Sequence, residues 1–368
     1  MTHTNITNDQ LALLSLKSQI ISDPFHLLDE SWSPTTSVCY WVGITCSSHH
    51  RVTMLNISNM ALTGKIPPDF GNLTFLVSLD LSGNNFYGNL PQEMAHLRRL
   101  RWMTLELSVN YLEGNIPKEI GELQNLKVLV IQANQLIGSI PFSIFNISGI
   151  KVIGFSYNTL SGDLPTDMCD RLPMLKVLYL GFNELHGHMP LNLANCSKLQ
   201  TFVLSDNKFD GPIHSEIGHL SNLQDLSLEN NHFEGRIPQE IGNLDNLVSI
   251  NLMANQITDC IPISIFNISS LQFLSLDDNN LLGPLPGEVG NLTKLQYLFL
   301  NENMLTGEIP KEVSNLIDLA EMGLGFNKFT GSLPIEIFNI SGIETIQLTS
   351  NNLTGTLPLN MGSTLPNI

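Results

Sequence analysis

Apolar and polar residues alternate in short, recurring bursts along this chain. In residues 76–91, Leu79 and Leu81 alternate with Ser78, Asp80 and Ser82, the period of a brief strand with one buried face. The burst belongs to a longer unit, L-x-x-L-x-L-x-x-N-x-L-x-G-x-I-P. Its glycine falls at Gly64, Gly88, Gly114, Gly138, Gly162, Gly187, Gly211, Gly235, Gly283, Gly307, Gly331 and Gly355, and Asp259 stands in once. Successive intervals are 24, 26, 24, 24, 25 and then seven of 24 residues. A fixed period of this length predicts a solenoid in which each coil buries its apolar face against its neighbours.

Within a coil, the strand has as partners the same strands of the coils before and after, which predicts a parallel sheet. An asparagine stands four residues before the glycine in every unit from Asn84 to Asn351; only the first unit departs, with Met60. Its amide can satisfy backbone groups that the turn strips from the ladder, the condition on which a buried polar side chain is tolerated. Gly88 supplies a conformation other residues resist, and Pro91 prevents helix continuation and carries the chain to the convex side. The two longer intervals predict local bulges, one near Arg101–Thr104 and one in Asp167–Leu172.

A different segment precedes the repeats. Asn8-Asp9 followed by Leu11, Leu13, Leu14, Leu16 and Ile20 predicts a capped helix of about three turns. With Trp32, Trp41 and the C-x-W-x-G-I-x-C loop it would cover the first coil's apolar edge, as a solenoid requires. The expected organisation is a cap over residues 1–50 and an array of about 13 units over residues 51–368. Residues 358–368 align with 165–175, where a strand follows in the earlier copy; the expectation is an array that stops short of a finished coil.

Composition narrows the function classes. Apolar residues make up 42% of the chain and charged ones 14%, enough to bury and not a disordered composition. The net charge of −17 argues against a nucleic-acid partner, which calls for a basic face. No run of 18 apolar residues is present, so no membrane contact is expected of this segment, and the start has neither the basic nor the apolar region of a signal peptide. Nine N-x-S/T sequons, at Asn5, Asn56, Asn72, Asn146, Asn195, Asn267, Asn291, Asn339 and Asn352, together with the cysteines, nevertheless predict a secreted glycoprotein. Cys39 and Cys46 are placed for a short disulfide loop and offer too few ligands for zinc. Cys169 and Cys196, one repeat apart, could bridge adjacent coils, which leaves Cys260 as a buried or partly buried thiol. The ten histidines show no metal-ligand spacing, and no phosphate loop, nucleophile elbow or kinase catalytic loop occurs. No cofactor, metal site or catalytic residue is expected.

L-x-G-x-I-P in a 24-residue unit, preceded by W…C-x-W-x-G-I-x-C, resembles the extracellular domain of plant leucine-rich-repeat receptor kinases over essentially the whole chain. Ser-Ile-Phe-Asn-Ile-Ser (143–148 and 264–269) and Met-Cys-Asp-Arg-Leu-Pro (168–173) resemble the subgroup that senses flagellin and elongation-factor peptides. The resemblance implies an α/β solenoid: a curved array with its parallel sheet on the concave face and a helical, disulfide-containing N-terminal cap. It further implies a membrane helix and a cytoplasmic Ser/Thr kinase elsewhere in the protein, a peptide or protein ligand, a co-receptor kinase ectodomain as partner, and a place on the extracellular face of the plasma membrane or in the apoplast. Gly211-Pro-Ile-His214 and Asp259-Cys-Ile-Pro262 depart from G-x-I-P.

Positions six, four, two and one residues before the ladder asparagine point away from the core, so their chemistry is free to report on binding. This face reads Val130, Val152, Tyr157, Val177, Tyr179, Phe182 and Val203, and then turns acidic with Asp206, Asp225, Glu229, Asp277, Asp278 and Glu302 beside Phe273, Tyr297, Phe299 and Phe326. An aromatic strip followed by a carboxylate strip suits an extended peptide with apolar and basic residues. Strands favour Tyr, Phe and Val in any case, and solvated acids need no ligand. The competing expectation is a secreted inhibitor of cell-wall-degrading enzymes, similar to the polygalacturonase-inhibiting proteins, which would use the same face to cover an enzyme.

Overall fold

The computed structural model describes residues 6–99 and 104–357. Asn5, all but Thr104 of the expected bulge near Arg101–Thr104, and the segment 358–368 lie outside them. The chain forms two compact units, Met1–Leu185 and His186–Ile368.

The first unit opens with helix α1 (Ile6–Gln19), which starts two residues before the expected Asn8-Asp9 cap. Asp9 does not cap it. The side chain is fully buried and accepts from Arg51 Nε at 2.8 Å, Arg51 Nη2 at 2.7 Å and the Val52 N–H at 3.0 Å. It ties the helix to the first coil, a role that needs a carboxylate inside the first turn rather than ahead of it. Ala12, Leu13 and Leu16 are buried, whereas Leu11 stays exposed. Trp32 and Trp41 stack with centroids 5.4 Å apart, beside a disulfide between Cys39 and Cys46. Strand Ile44–Cys46 pairs antiparallel with Val52–Asn56, so the cap covers the sheet edge.

From Val52–Asn56 onward the coils repeat as the period predicts. Three-residue strands such as Ser78–Asp80, Val128–Val130 and Val152–Gly154 pair in parallel, central residue buried and flanking residues facing outward. The second unit does the same from Thr201–Val203 to Thr345–Gln347. The ladder asparagine behaves as its repetition demands. Asn110 Nδ2 reaches the carbonyls of Leu81, Leu107 and Ser108 at 3.1, 3.1 and 3.2 Å, and its Oδ1 accepts from the Phe86 N–H at 2.9 Å. In the second unit Asn255 does this for Leu228, Leu252, Met253 and Phe233.

The single-sheet expectation misses a second ladder. Residues around most of the motif glycines, such as Asn85–Asn89 and Tyr111–Asn115, form another parallel strand. One buried apolar side chain in each, Phe86, Leu112, Phe209 or Phe233, lines the core beneath it. The glycine sits at positive φ, +83° at Gly88, a backbone that L side chains resist. In most coils the proline then holds φ near its fixed value, −67° at Pro91 and −62° at Pro117, and starts a 3-10 helix. In the long interval at Asp167–Leu172 the added residue turns that 3-10 segment into one α-turn, Met168–Arg171, held by an Arg171–Asp167 ion pair at 2.8 Å.

Cys260 is free, as expected, but exposed rather than buried or partly buried. It follows the glycine position, where Asn89, Asn115 and Arg236 also face solvent; the alternation of the second ladder sends that residue outward. Cys169 and Cys196 are fully buried, one in each unit.

Candidate functional site

In the first unit the outward face of the three-residue strands brings six of the expected residues together. Val152 aligns with Val177 along the ladder, and Val130, Gly154 and Tyr179 form the next row. With no side chain at Gly154, Val130 leans over it: a Cβ there would lie 3.0 Å from Val130 Cγ1. Tyr157 and Phe182 stack almost face to face, centroids 4.2 Å apart at 10°. Tyr157, Tyr179 and Phe182 remain 55%, 38% and 42% exposed.

Tyr157 and Phe182 occupy the left-handed region, with φ of 58° and 57°. The backbone ladder holds them there: the Tyr157 N–H donates to the Gly181 carbonyl at 3.0 Å, and its own carbonyl accepts from the Asn134 N–H at 3.1 Å. The residue before every ladder asparagine takes this conformation; most other coils fill it with a small or polar residue such as Ala133, Asn230 or Ala254, while Val109 and Phe326 are the other large apolar ones. A bulky aromatic at such a position is uncommon and adds nothing to the core.

In the second unit Val203 is half-buried, and so are Asp206, Asp225, Glu229 and Asp277, whereas Asp278 and Glu302 are exposed. Burial raises the carboxyls of Asp206, Asp225 and Glu229 above the ordinary range, opposed by hydrogen bonds from Asn230, Ser249 and Ser227 respectively. Phe273, Tyr297 and Phe299 form a triangle of rings with centroids 5.9 to 6.3 Å apart. Beside the row of three-residue strands Asp277, Asp278, Glu302 and Phe326 line a cavity of about 410 Å³ together with Asn301 and Gly325. Burial pushes the Asp277 carboxyl up to about 6, against the lowering effect of the Asn301 backbone and side-chain donors; Glu302 and Asp278 raise it further. Asn301 and Gly325 escape the aromatic-plus-acid pattern. A polar residue followed one coil later by two glycines in outward positions, Gly323 and Gly325, was the available signal.

A larger cavity, about 660 Å³, lies on the 3-10 side of the first unit against Arg98, Lys118, Glu119 and Glu122, away from this face. The Arg98–Glu122 pair, 3.3 Å apart and open to solvent, spans two coils there. All eight described sequon asparagines are exposed. Six of them, Asn72, Asn146, Asn195, Asn267, Asn291 and Asn339, end a 3-10 helix, so any glycans on them would leave the strand face open. His188 contacts Asp210 at 2.6 Å, and among the described residues no group of three or more potential ligands is arranged to hold a metal ion. No helix among them is long and apolar enough to cross a membrane.

Known proteins fit this geometry. A leucine-rich-repeat N-terminal domain matches residues 6–47, leucine-rich repeats match 51–73 and 75–97, and a leucine-rich repeat region matches 182–352. The chain is 39% identical over 94 residues to the receptor-like serine/threonine-protein kinase EFR of Arabidopsis thaliana, 25% of this chain and 9% of that protein. It is 34% identical over 100 residues to polygalacturonase inhibitor 2 of the same plant, 26% of this chain and 29% of the inhibitor. Among solved structures, the plant peptide hormone receptor RGFR1 in complex with RGF2 superposes with a TM-score of 0.69 at 30% identity, covering 89% of this chain and 62% of that one. The matched segment is thus a small part of the receptor kinase. The chain belongs to the leucine-rich-repeat proteins, with the N-terminal domain and repeats found in plant leucine-rich-repeat receptor kinases.

Proposed function

We propose that this chain is the extracellular recognition module of a plant receptor kinase, displayed at the cell surface. On this reading it binds an extended peptide on the outward face of its three-residue strands and recruits a second receptor ectodomain for immune or developmental signalling. The observation that carries the reading is the stacked pair Tyr157 and Phe182, exposed beside Tyr179 and held in a backbone conformation in which the other coils, Val109 and Phe326 apart, place small or polar residues. Aromatic side chains free of packing duty suit an interface, because rigid rings bury large area at low entropic cost. The carboxylates of the second unit, half-buried at Asp206, Asp225, Glu229 and Asp277, would add register and on-rate for a basic ligand. Likeness to a plant peptide hormone receptor and to a receptor kinase supports the same class. The test is binding of a peptide selected on the whole chain: Tyr179→Ala and Phe182→Ala should each weaken it about ten-fold while the melting curve stays in place. Unchanged affinity rejects this face.

The similarity to a polygalacturonase inhibitor favours one competing reading, a secreted protein that covers a pectin-degrading enzyme with the same face. Inhibition of fungal polygalacturonases at sub-micromolar concentration would establish it in place of the receptor reading.

A further inference from the structure

Asp277 is seated by an arrangement the fold does not require. Its Oδ1 accepts from both the backbone N–H and the side-chain Nδ2 of Asn301, the latter at 3.1 Å, and Asn301 Oδ1 in turn accepts from the Gly325 N–H at 2.8 Å. That amide lies across the sheet only because the next coil has no side chain beneath it. A Cβ at Gly323 would stand 2.2 Å from Asn301 Nδ2, and one at Gly325 3.3 Å from Asn301 Oδ1. In the row of Gly323 the neighbouring coils place Ser275, Phe299 and Gln347, so glycine is no rule of the strand. Two glycines in neighbouring outward positions weaken a strand, and here they hold one carboxylate oxygen fixed. Among the described residues the other oxygen of Asp277 takes no hydrogen-bond donor, and Asp277 lines the cavity.

The cavity's remaining chemistry points one way. Asp278 and Glu302 join Asp277 there, and no lysine, arginine or histidine lines it. Phe326, 55% exposed and at φ 54°, and Met253 supply apolar wall at its side. Ala254 and Asn230 fill the position equivalent to Phe326 in other coils of this unit, so the ring is not there for packing. No set of described residues holds a metal ion in place here. A pinned carboxylate, two more carboxylates at hand and an aromatic ring suit a cationic head on an aliphatic stem.

We propose that this cavity seats the side chain of one arginine or lysine of the peptide ligand, its stem against Phe326 and Met253 and its head on Asp277 and Glu302. The inference rests on the peptide-binding reading and names the residue class this part of the face selects. Repulsion among the three carboxylates, with Asp277 half-buried, is then relieved when the ligand's charge arrives.

The experiment is selection of a random dodecapeptide phage library on the immobilised 368-residue chain at pH 7, repeated on Asp277→Asn and Glu302→Gln, with far-ultraviolet dichroism confirming that both variants fold. The expected result is a basic residue at one fixed position of the selected peptides, lost on the variants, and at least ten-fold weaker binding of the synthetic winner to Asp277→Asn. Basic peptides that bind the variants as tightly as the parent overturn the proposal. Selected peptides with no shared basic residue, displaced by Phe299→Ala or Phe182→Ala, overturn it and leave the peptide reading intact. A library that yields no enriched sequence removes both.

Discussion

Arg51 grips Asp9 through two hydrogen bonds, 2.8 and 2.7 Å, in a site where both side chains are shut from solvent. The pair joins helix α1 to the first strand of the array, and the Val52 N–H completes the carboxylate's shell. Removing one partner leaves the other as an uncompensated buried charge, which costs about 3–5 kcal/mol. Asp9→Ala should therefore lower the stability of the first unit by that order, read as an earlier unfolding transition in urea. The double variant Asp9→Leu/Arg51→Met should recover most of the loss. A double variant as unstable as the single one would show that the pair is needed for more than its charge balance.

The ladder asparagines allow a second prediction. Asn255 serves three carbonyls with its Nδ2 and one N–H with its Oδ1, all inside the core. Asn255→Ala leaves these groups without a partner, at about 1–3 kcal/mol. Asn255→Asp should be the worse of the two at pH 7, because a carboxylate would face carbonyl oxygens and cannot donate. Thermal melts of the two variants side by side check the order.

Much of this was legible in the sequence because the repeat makes each coil's demands periodic. The buried leucines, the parallel ladder, the asparagine's role and the Cys39–Cys46 disulfide follow from residues at fixed spacing, and the structure has them where the spacing puts them. The second ladder at Asn85–Asn89 was not legible: only one of its residues, Phe86, is fully buried in a way the alternation reveals, and the glycine within it reads as a turn. Asp9 misled because a residue that ends an unpatterned stretch looks like a cap until its partner 42 positions away is known. The outward rows could be listed from the sequence, since they are defined by distance from the asparagine. What the list could not contain is which members share a cavity: Asn301 and Gly325 act through a hydrogen bond between coils, which no local pattern encodes.

Tyr157 and Phe182 set a third expectation, in which stability and binding part company. Replacing Phe182 by Asn relieves a bulky side chain at φ 57° but gives up a stacked ring pair. The first effect is worth about 1–3 kcal/mol at most, the second about 0.5–1.5 kcal/mol, and they oppose. The Phe182→Asn chain should then melt at or slightly above the parent temperature, while a peptide selected on the parent binds at least ten-fold more weakly. A large loss of stability would mean that the ring pair is part of the core after all.

Asp277 supplies the last prediction, in which the sign follows from the raised acidity constant. Its carboxyl titrates at about 6 in the folded chain against an ordinary value of 3.8, chiefly because burial disfavours the charged form. Between those two values the folded chain holds the proton and the unfolded chain does not. The stability contributed by that proton is whole below pH 3.8, shrinks as pH rises, and is gone once pH passes about 6. At pH 7 the folded state therefore bears an ionised group that it would rather keep neutral. Asp277→Asn keeps an oxygen to accept from the Asn301 backbone while removing the charge, so it should stabilise the chain at pH 7 by about 1 kcal/mol, a figure well below the full linkage value because the carboxyl is partly solvent-screened. At pH 4 the gain should vanish. The same variant should bind a basic peptide more weakly at pH 7, and the parent should lose affinity for that peptide as pH falls from 7 to 5, while Asp277→Asn loses less. A melting-temperature gain of equal size at both pH values would show that the effect comes from something other than the charge. Stabilisation and lost binding in one substitution, both confined to the pH range where Asp277 is ionised, would be the signature of a carboxylate kept for a ligand at the fold's expense.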